Sequence, residues 1–269
     1  MPAYDLATLA KVRVATPLPP IEERLSTALS YRAALMRMLR EIAREFREGI
    51  RPRYRDERAR RAQLDALTVD DDPAGWFTRL RAIVERMVRR VSREVDTLLR
   101  GEAGRHSKAF RRAAKRALGV DLAAVVRDED LSDMLRVASL RNAALIRSLG
   151  DDAVGRVQRA VLDGLVAGHG ATRLAKELQR DFGVLRSRAE LIASDQTAKL
   201  NADLNRFRQT QAGVTTYEWV SSRDERVRDR HRKLDGTRYR WGQRTGAEDG
   251  LPPGKPIRCR CIARGILTP

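Results

Sequence analysis

At 269 residues the chain is long enough to bury a sizeable core and to form one or two domains. It is 33% charged and only 5% aromatic, which favours long helices with wide solvated faces over a compact β-protein. A net charge of +18 and a pI near 11 call for an anionic partner: nucleic acid, an acidic protein surface or lipid headgroups. Residues 214–269 hold +6 of that charge and the rest +12, a spread that fits diffuse, salt-sensitive attraction to phosphate better than a dedicated module.

No apolar run approaches the roughly 18 residues needed to span a bilayer, and the N-terminus lacks a charged-then-apolar signal pattern. Two cysteines, spaced Cys259-x-Cys261, make no secreted disulfide framework. The expectation is a soluble protein made in a reducing cytoplasm, with no membrane partner.

In chain order, residues 1–20 end in Pro-Leu-Pro-Pro and read as an extended arm. Ile21, Leu25, Ala28, Leu35, Leu39, Ile42 and Phe46 then recur at helical steps, with Gly49 and Pro52 as the expected break. A basic segment follows, in which Arg51, Arg53, Arg55, Arg58, Arg60 and Arg61 are candidates for phosphate contact, although a solvated helix face or linker is the simpler explanation of them. Asp70–Pro73 reads as an acidic turn. Trp76, Leu80, Ile83, Met87, Val91, Val95 and Leu98 form a second stripe ending near Gly101, ahead of a basic helix at 107–118. Asp128 is a candidate cap for the stripe 131–149, which Asn142 interrupts. Gly150 and the glycines of 164–170 then delimit shorter helices, and another runs from Gly168 to Gly183. His106 and His169 read as surface histidines. The last long helix, 185–211, carries Ala189, Ala193, Leu200, Leu204 and Phe207 on one side, with Asp195 and Lys199 set for an i,i+4 ion pair.

The terminal stretch concentrates the chemistry. Val214–Val220 alternates like a strand, with Tyr217 and Trp219 on one face. Ser222 and Glu225 have capping-box spacing for a short helix ended by Gly236, on which Asp224, Val227, His231 and Leu234 share a side. Tyr239 and Trp241 mark a second strand, and a Gly/Pro-rich loop leads to a third at 257–262, where Cys259 and Cys261 project from one side. Two cysteines and an inward histidine can form a Cys₂His zinc site. They can equally be small buried hydrophobes beside a hydrogen-bonded histidine, with no cofactor. A reversible disulfide is poorly served by this spacing.

The order W-V-S-S-R-D-E-R-V-R-D-R-H-R-K-L-D-G, a variable loop, then P-P-G-K-P-I-R-C-R-C, resembles the C-terminal domain of the phage Mu F-like head morphogenesis (minor head) proteins. The preceding R-A-E-L-I-A-S-D-Q-T-A-K-L-N resembles that family's lead-in helix. The resemblance carries the family's characteristic positions onto Trp219, Asp224, Arg228, His231, Asp235, Gly236, Pro253, Cys259, Arg260 and Cys261. Lys255 departs from it, standing where several relatives place an acidic residue or histidine, and a protonated lysine cannot ligate a metal.

The expected fold is mainly α: the arm at 1–20, a variable helical region at 21–183, and a C-terminal domain at 184–269 with a lead-in helix at 185–211 and an α+β core at 214–269. The resemblance implies a minor capsid protein of a tailed phage or prophage-derived particle. Its partners would be portal and procapsid proteins, with non-specific contact to double-stranded DNA. It would sit in the virion, at the capsid interior or portal vertex, after assembly in the host cytoplasm. The alternative is a metal-dependent, nuclease-like enzyme using His231 and the Cys-x-Cys pair. Against catalysis, the sequence offers no second histidine or carboxylate cluster and no phosphate-binding glycine loop.

Overall fold

The structure, a computed structural model, describes residues 2–64, 73–123 and 131–269. The acidic residues Asp70–Asp72 and the cap assigned to Asp128 lie outside the described residues. The protein is mainly α, with a small four-stranded antiparallel sheet toward the C-terminus. It divides into two compact units, one comprising Ser30–Asp96 and Ser139–Ala193, the other Met1–Leu29, Thr97–Ala138 and Ser194–Pro269.

The helical unit is built from most of α2 (Leu25–Glu45), from α3 (Arg51–Leu64), and from parts of α4 (Pro73–Leu118), α5 (Ser132–Val166) and α6 (Ala171–Gln211). Its core takes Leu35, Leu39 and Ile42 on α2, Trp76, Leu80 and Val91 on α4 and Leu149 on α5 from the expected stripes and adds Tyr31, Met38, Val84, Val157 and Val161, whereas Leu25 is exposed and Ile83 only partly buried. Helix continuity differs from expectation. Gly49 and Pro52 do not end the first helix; a π-turn at Phe46–Ile50 joins α2 to α3. Proline has no N–H to donate and its ring crowds the carbonyl four residues back, and the wider turn relieves both problems.

Gly150 and Gly164 likewise lie inside α5. A Cβ at Gly150 would sit 3.0 Å from methyls of Val84 and Val88, and one at Gly164 would sit 2.7 Å from the Tyr54 hydroxyl. These glycines let neighbours approach closely. Asn142, which interrupts the α5 stripe, is buried and accepts a 2.7 Å hydrogen bond from Tyr31. Asp152 is bonded by both Arg156 (3.0 Å) and Arg188 (2.9 Å), and Arg156 reaches Asp181 as well (3.0 Å).

The second unit holds the sheet, ordered β1 (Thr16–Pro17), β4 (Ile262–Leu267), β2 (Thr216–Val220), β3 (Arg238–Arg240). β2 pairs with β4 along its full length and with β3 on its other side, placing Tyr217 opposite both Gly265 and Tyr239. Where the sequence suggests an extended arm, the chain forms α1 (Leu6–Leu9), capped by the Asp5 carboxylate, and then edge strand β1. Leu6 and Leu18 are buried there with Phe110, Leu122, Val214 and Leu267, which explains why this segment is ordered. α4 runs unbroken through Gly101, and Glu102 just beyond it is buried and hydrogen-bonded by Thr27 and Arg105. α6 likewise passes through Gly183 without a break.

Candidate functional site

β2 organises the site. Trp219 and Tyr217 are buried on one face, as the alternation requires. Tyr217 stacks on Trp241 at 4.2 Å between centroids and meets Tyr239 at 6.0 Å, while Trp219 meets the His231 ring edge-on at 5.2 Å. Such aromatic contacts fix side-chain positions as well as burying area.

The segment after β2 departs from the expected helix. The Ser222–Glu225 capping box does not form; the Asp224 carboxylate instead accepts the Arg226 N–H at 2.9 Å and Arg223 adopts φ 53°. Only Asp229–Arg232 is helical (α7), but that one turn buries His231 as the sequence phase predicts, with Val227 buried and Leu234 packed on the Trp219 cluster. Asp224 turns away to pair with Arg260 at 2.7 Å. Asp235 accepts the Ser221 N–H at 2.8 Å and Arg223 at 3.1 Å, so it closes the turn between β2 and α7. Gly236, at φ 78°, donates its N–H to the Trp219 carbonyl. Arg228 donates to the Ile257 carbonyl at 2.6 Å and lies 3.4 Å from Glu248.

The third strand lies later than expected, at Ile262–Leu267 instead of 257–262. Pro256 begins a turn in which Cys259 N–H donates back to its carbonyl and Arg258 takes φ 59°. The Asp195 carboxylate holds that turn through the Arg258 N–H at 3.2 Å, besides its predicted 2.6 Å pair with Lys199. Pro253 is buried in the preceding turn. Gly254 has φ 81°, and a Cβ there would meet that of Ala202 at 2.8 Å. Only glycine serves at this point, and its N–H is thereby directed to Cys259 Sγ at 3.3 Å.

His231, Cys259 and Cys261 come together, all three buried. His231 Nδ1 lies 3.5 Å from Cys259 Sγ and 3.8 Å from Cys261 Sγ, and Nε2 lies 2.7 Å from Glu248. The Cys261 S–H donates to Cys259, which holds the Cys259 thiol down to about 6 against the effect of burial, helped by the Gly254 amide. That same bond, with desolvation, pushes Cys261 up. For Glu248, partial desolvation is outweighed by the bond from His231, its own backbone amide and the Arg228 charge, so its carboxyl sits below the usual range. Lys255 is bound to Asp203 at 2.6 Å and takes no part in the cluster. Both cysteines also line a cavity of about 330 Å³ with Glu23, Ser221, Ser222 and Arg260.

Sequence reasoning missed Glu248, which sits in the Gly/Pro-rich loop, and it missed the polar face of α6. Asn201 and Asn205 both donate to the Ile21 carbonyl at 3.0 Å, Arg208 to Ser107 at 2.7 Å, and Gln209 to the Ala263 carbonyl at 2.9 Å. The spacing 201, 205, 208 was the available signal. His106 is fully buried against Asn205 at 3.2 Å, correcting its surface assignment, because α4 turns it inward onto this polar face. His169 is half-buried, and its carbonyl accepts Tyr54. Of the six arginines on α3, Arg51, Arg53, Arg55, Arg58 and Arg60 are exposed; Arg60 and Arg61 pair with buried Glu57, and Arg58 donates to the Gly168 carbonyl.

A long-helical protein ending in a small antiparallel sheet wrapped by a Trp-His-Cys core is the class these features define. Residues 155–264 match the family described as Phage Mu protein F like protein, and the chain carries this Mu F-like region as its C-terminal part. It is also 32% identical over 170 residues to an uncharacterized protein of Haemophilus influenzae strain Rd, a match covering 62% of this chain and 37% of that protein. The chain thus spans well under half of that relative's length. No solved structure matches it.

Proposed function

We propose that the chain is a minor head protein of a tailed phage or prophage-derived particle, acting with portal and capsid proteins in head morphogenesis. The observation carrying this reading is the family match, whose residues 155–264 include the strands β2 and β3 and the first half of β4. Its motif side chains are tied up within the fold: Arg260 with Asp224, Arg228 with the loop residue Glu248, and Asp235 with the Ser221 backbone amide. That pattern suits a folded docking module better than a catalytic centre, and nothing in the comparisons supports the nuclease-like alternative. No helix among the described residues is long and apolar enough to cross a membrane. The reading assigns the protein to the virion, at the capsid interior or portal vertex, after assembly in the host cytoplasm.

The test is co-sedimentation of the full-length chain with procapsids assembled with and without portal. Retention only on portal-containing particles is the expected result; no retention on either overturns the assignment. The +18 charge and the exposed arginines Arg51–Arg60 support a further role in non-specific DNA contact, with a Kd on the order of 10⁻⁴–10⁻⁶ M at physiological salt. Affinity for a random duplex should fall steeply as salt rises, and replacing Arg51, Arg53 and Arg55 with Gln should flatten the slope. Salt-independent binding would mean that the charge serves a protein partner.

A further inference from the structure

We infer that His231, Cys259 and Cys261 form a binding site for one thiophilic divalent cation, zinc by preference, which ties the loop before β4 to the turn after β2. Three ligand atoms from two separated segments, all in buried side chains, lie within 4.8 Å of one another. Around a tetrahedral zinc, bonds of about 2.3 Å to sulfur and 2.0–2.1 Å to nitrogen set a sulfur-to-nitrogen edge of about 3.6 Å. The observed sulfur-to-nitrogen edges are 3.5 and 3.8 Å, so the histidine already stands at ligating distance from both cysteines.

The histidine is oriented for the task. Its Nε2 is bonded to Glu248 at 2.7 Å, which fixes the proton there and leaves the Nδ1 lone pair facing both sulfurs. A carboxylate behind a ligating imidazole raises its basicity and locks the ring. Arg228, 3.4 Å from the other Glu248 oxygen, holds that carboxylate in turn. The Gly254 N–H aimed at Cys259 Sγ stabilises a thiolate in the same way.

The one imidazole nitrogen faces both sulfurs, where a single ion can bind all three ligand atoms. Two thiolates and an imidazole exclude the hard cations magnesium and calcium and select zinc among the common ions. Three side-chain donors leave a fourth position for water. The neighbouring cavity, lined by both cysteines, gives the ion and that water a route to the sulfurs.

The experiment uses the full-length chain, purified without chelator under reducing conditions, and needs no assembly partner; its outcome is therefore independent of the head-morphogenesis reading. Elemental analysis should find close to one zinc per chain. After stripping, Co²⁺ titration should saturate at one equivalent, with thiolate-to-cobalt charge-transfer and tetrahedral d–d bands. Cys259→Ser should lose the charge-transfer intensity of one thiolate. Glu248→Gln, which touches no ligand sulfur, should keep the spectrum while weakening affinity by about 10–100-fold. A folded wild-type chain holding under about 0.2 zinc and giving no cobalt bands overturns the site, as does an unchanged cobalt spectrum in Cys259→Ser.

Discussion

The two compact units bury polar groups in very different amounts. Among the described residues, thirteen of the fifteen buried polar or charged side chains belong to the sheet-containing unit, leaving only Glu57 and Asn142 in the helical one. The helical unit is held by apolar stripes and by glycines that let helices close on bulky neighbours, so shape decides its packing. The sheet unit threads Asn201, Asn205, Arg208 and Gln209 through its interior to bond Ile21, Ser107 and Ala263. Buried polar groups stabilise little in net terms but are costly when mispaired, so they permit one arrangement of the N-terminal segment, α4, α6 and β4. The unit carrying the family motifs is the one whose geometry is specified most tightly.

The sharpest break of that contrast is acid. Burial, opposed in part by the bond to Asn205 and helped by the charges of Arg105 and Arg208, lowers the His106 pKa from its usual range to about 3. The unfolded chain takes up a proton below about 6.5 whereas the folded one resists until about 3. Its contribution is therefore complete above pH 6.5 and is lost as pH falls through that window, by about 1.4 kcal/mol per pH unit. Urea unfolding of wild type and His106→Gln, whose amide can still donate to Asn205, should differ in pH dependence by roughly 2–3 kcal/mol between about pH 7 and 4.5. Parallel pH profiles would mean that the imidazole is not held neutral.

In the helical unit the corresponding break is steric. Gly164→Ala places a methyl against the Tyr54 hydroxyl, which itself is fixed by a 2.6 Å bond to the His169 carbonyl. A loss of about 1–3 kcal/mol in urea unfolding is expected from such overpacking. Tyr54→Phe in the same chain should recover part of it, giving a coupling energy between the two sites. Additive losses would show that the helices part instead of pressing on the hydroxyl.

Much of this was readable from residue order, for reasons specific to each element. The stripes from Leu35 to Phe46 and from Trp76 to Val91 announce helices because a 3.6-residue period is local. Tyr217 and Trp219 announce a strand by parity, and His231 announces its inward face by its spacing from Val227. Helix continuity was not readable: Gly101, Gly150 and Gly183 look like stops, yet the helices run through them, at Gly150 because Val84 and Val88, far away in sequence, pack against it. Glu248 could not be found because its approach to His231 depends on how a Gly/Pro-rich loop folds. The polar stripe on α6 was visible as a spacing, but polar residues at helical period ordinarily face water. Only the tertiary fold turns Arg208 inward.

The smallest expected effect reverses the sign of the second. Gly101 lies inside α4 in the sheet-containing unit, exposed, with nothing within 4 Å of where a Cβ would sit and no positive φ. Its cost is conformational: glycine gives up more backbone freedom on folding than alanine does. Gly101→Ala should therefore stabilise the protein by about 0.5–1 kcal/mol, read as a higher urea midpoint at unchanged slope. Set beside the loss at Gly164, a gain here would separate glycines kept for close approach from those that merely interrupt a helix. A loss at Gly101 would mean that a methyl at this exposed point of α4 is disfavoured by something other than helix entropy, and the separation of the two kinds of glycine would fail.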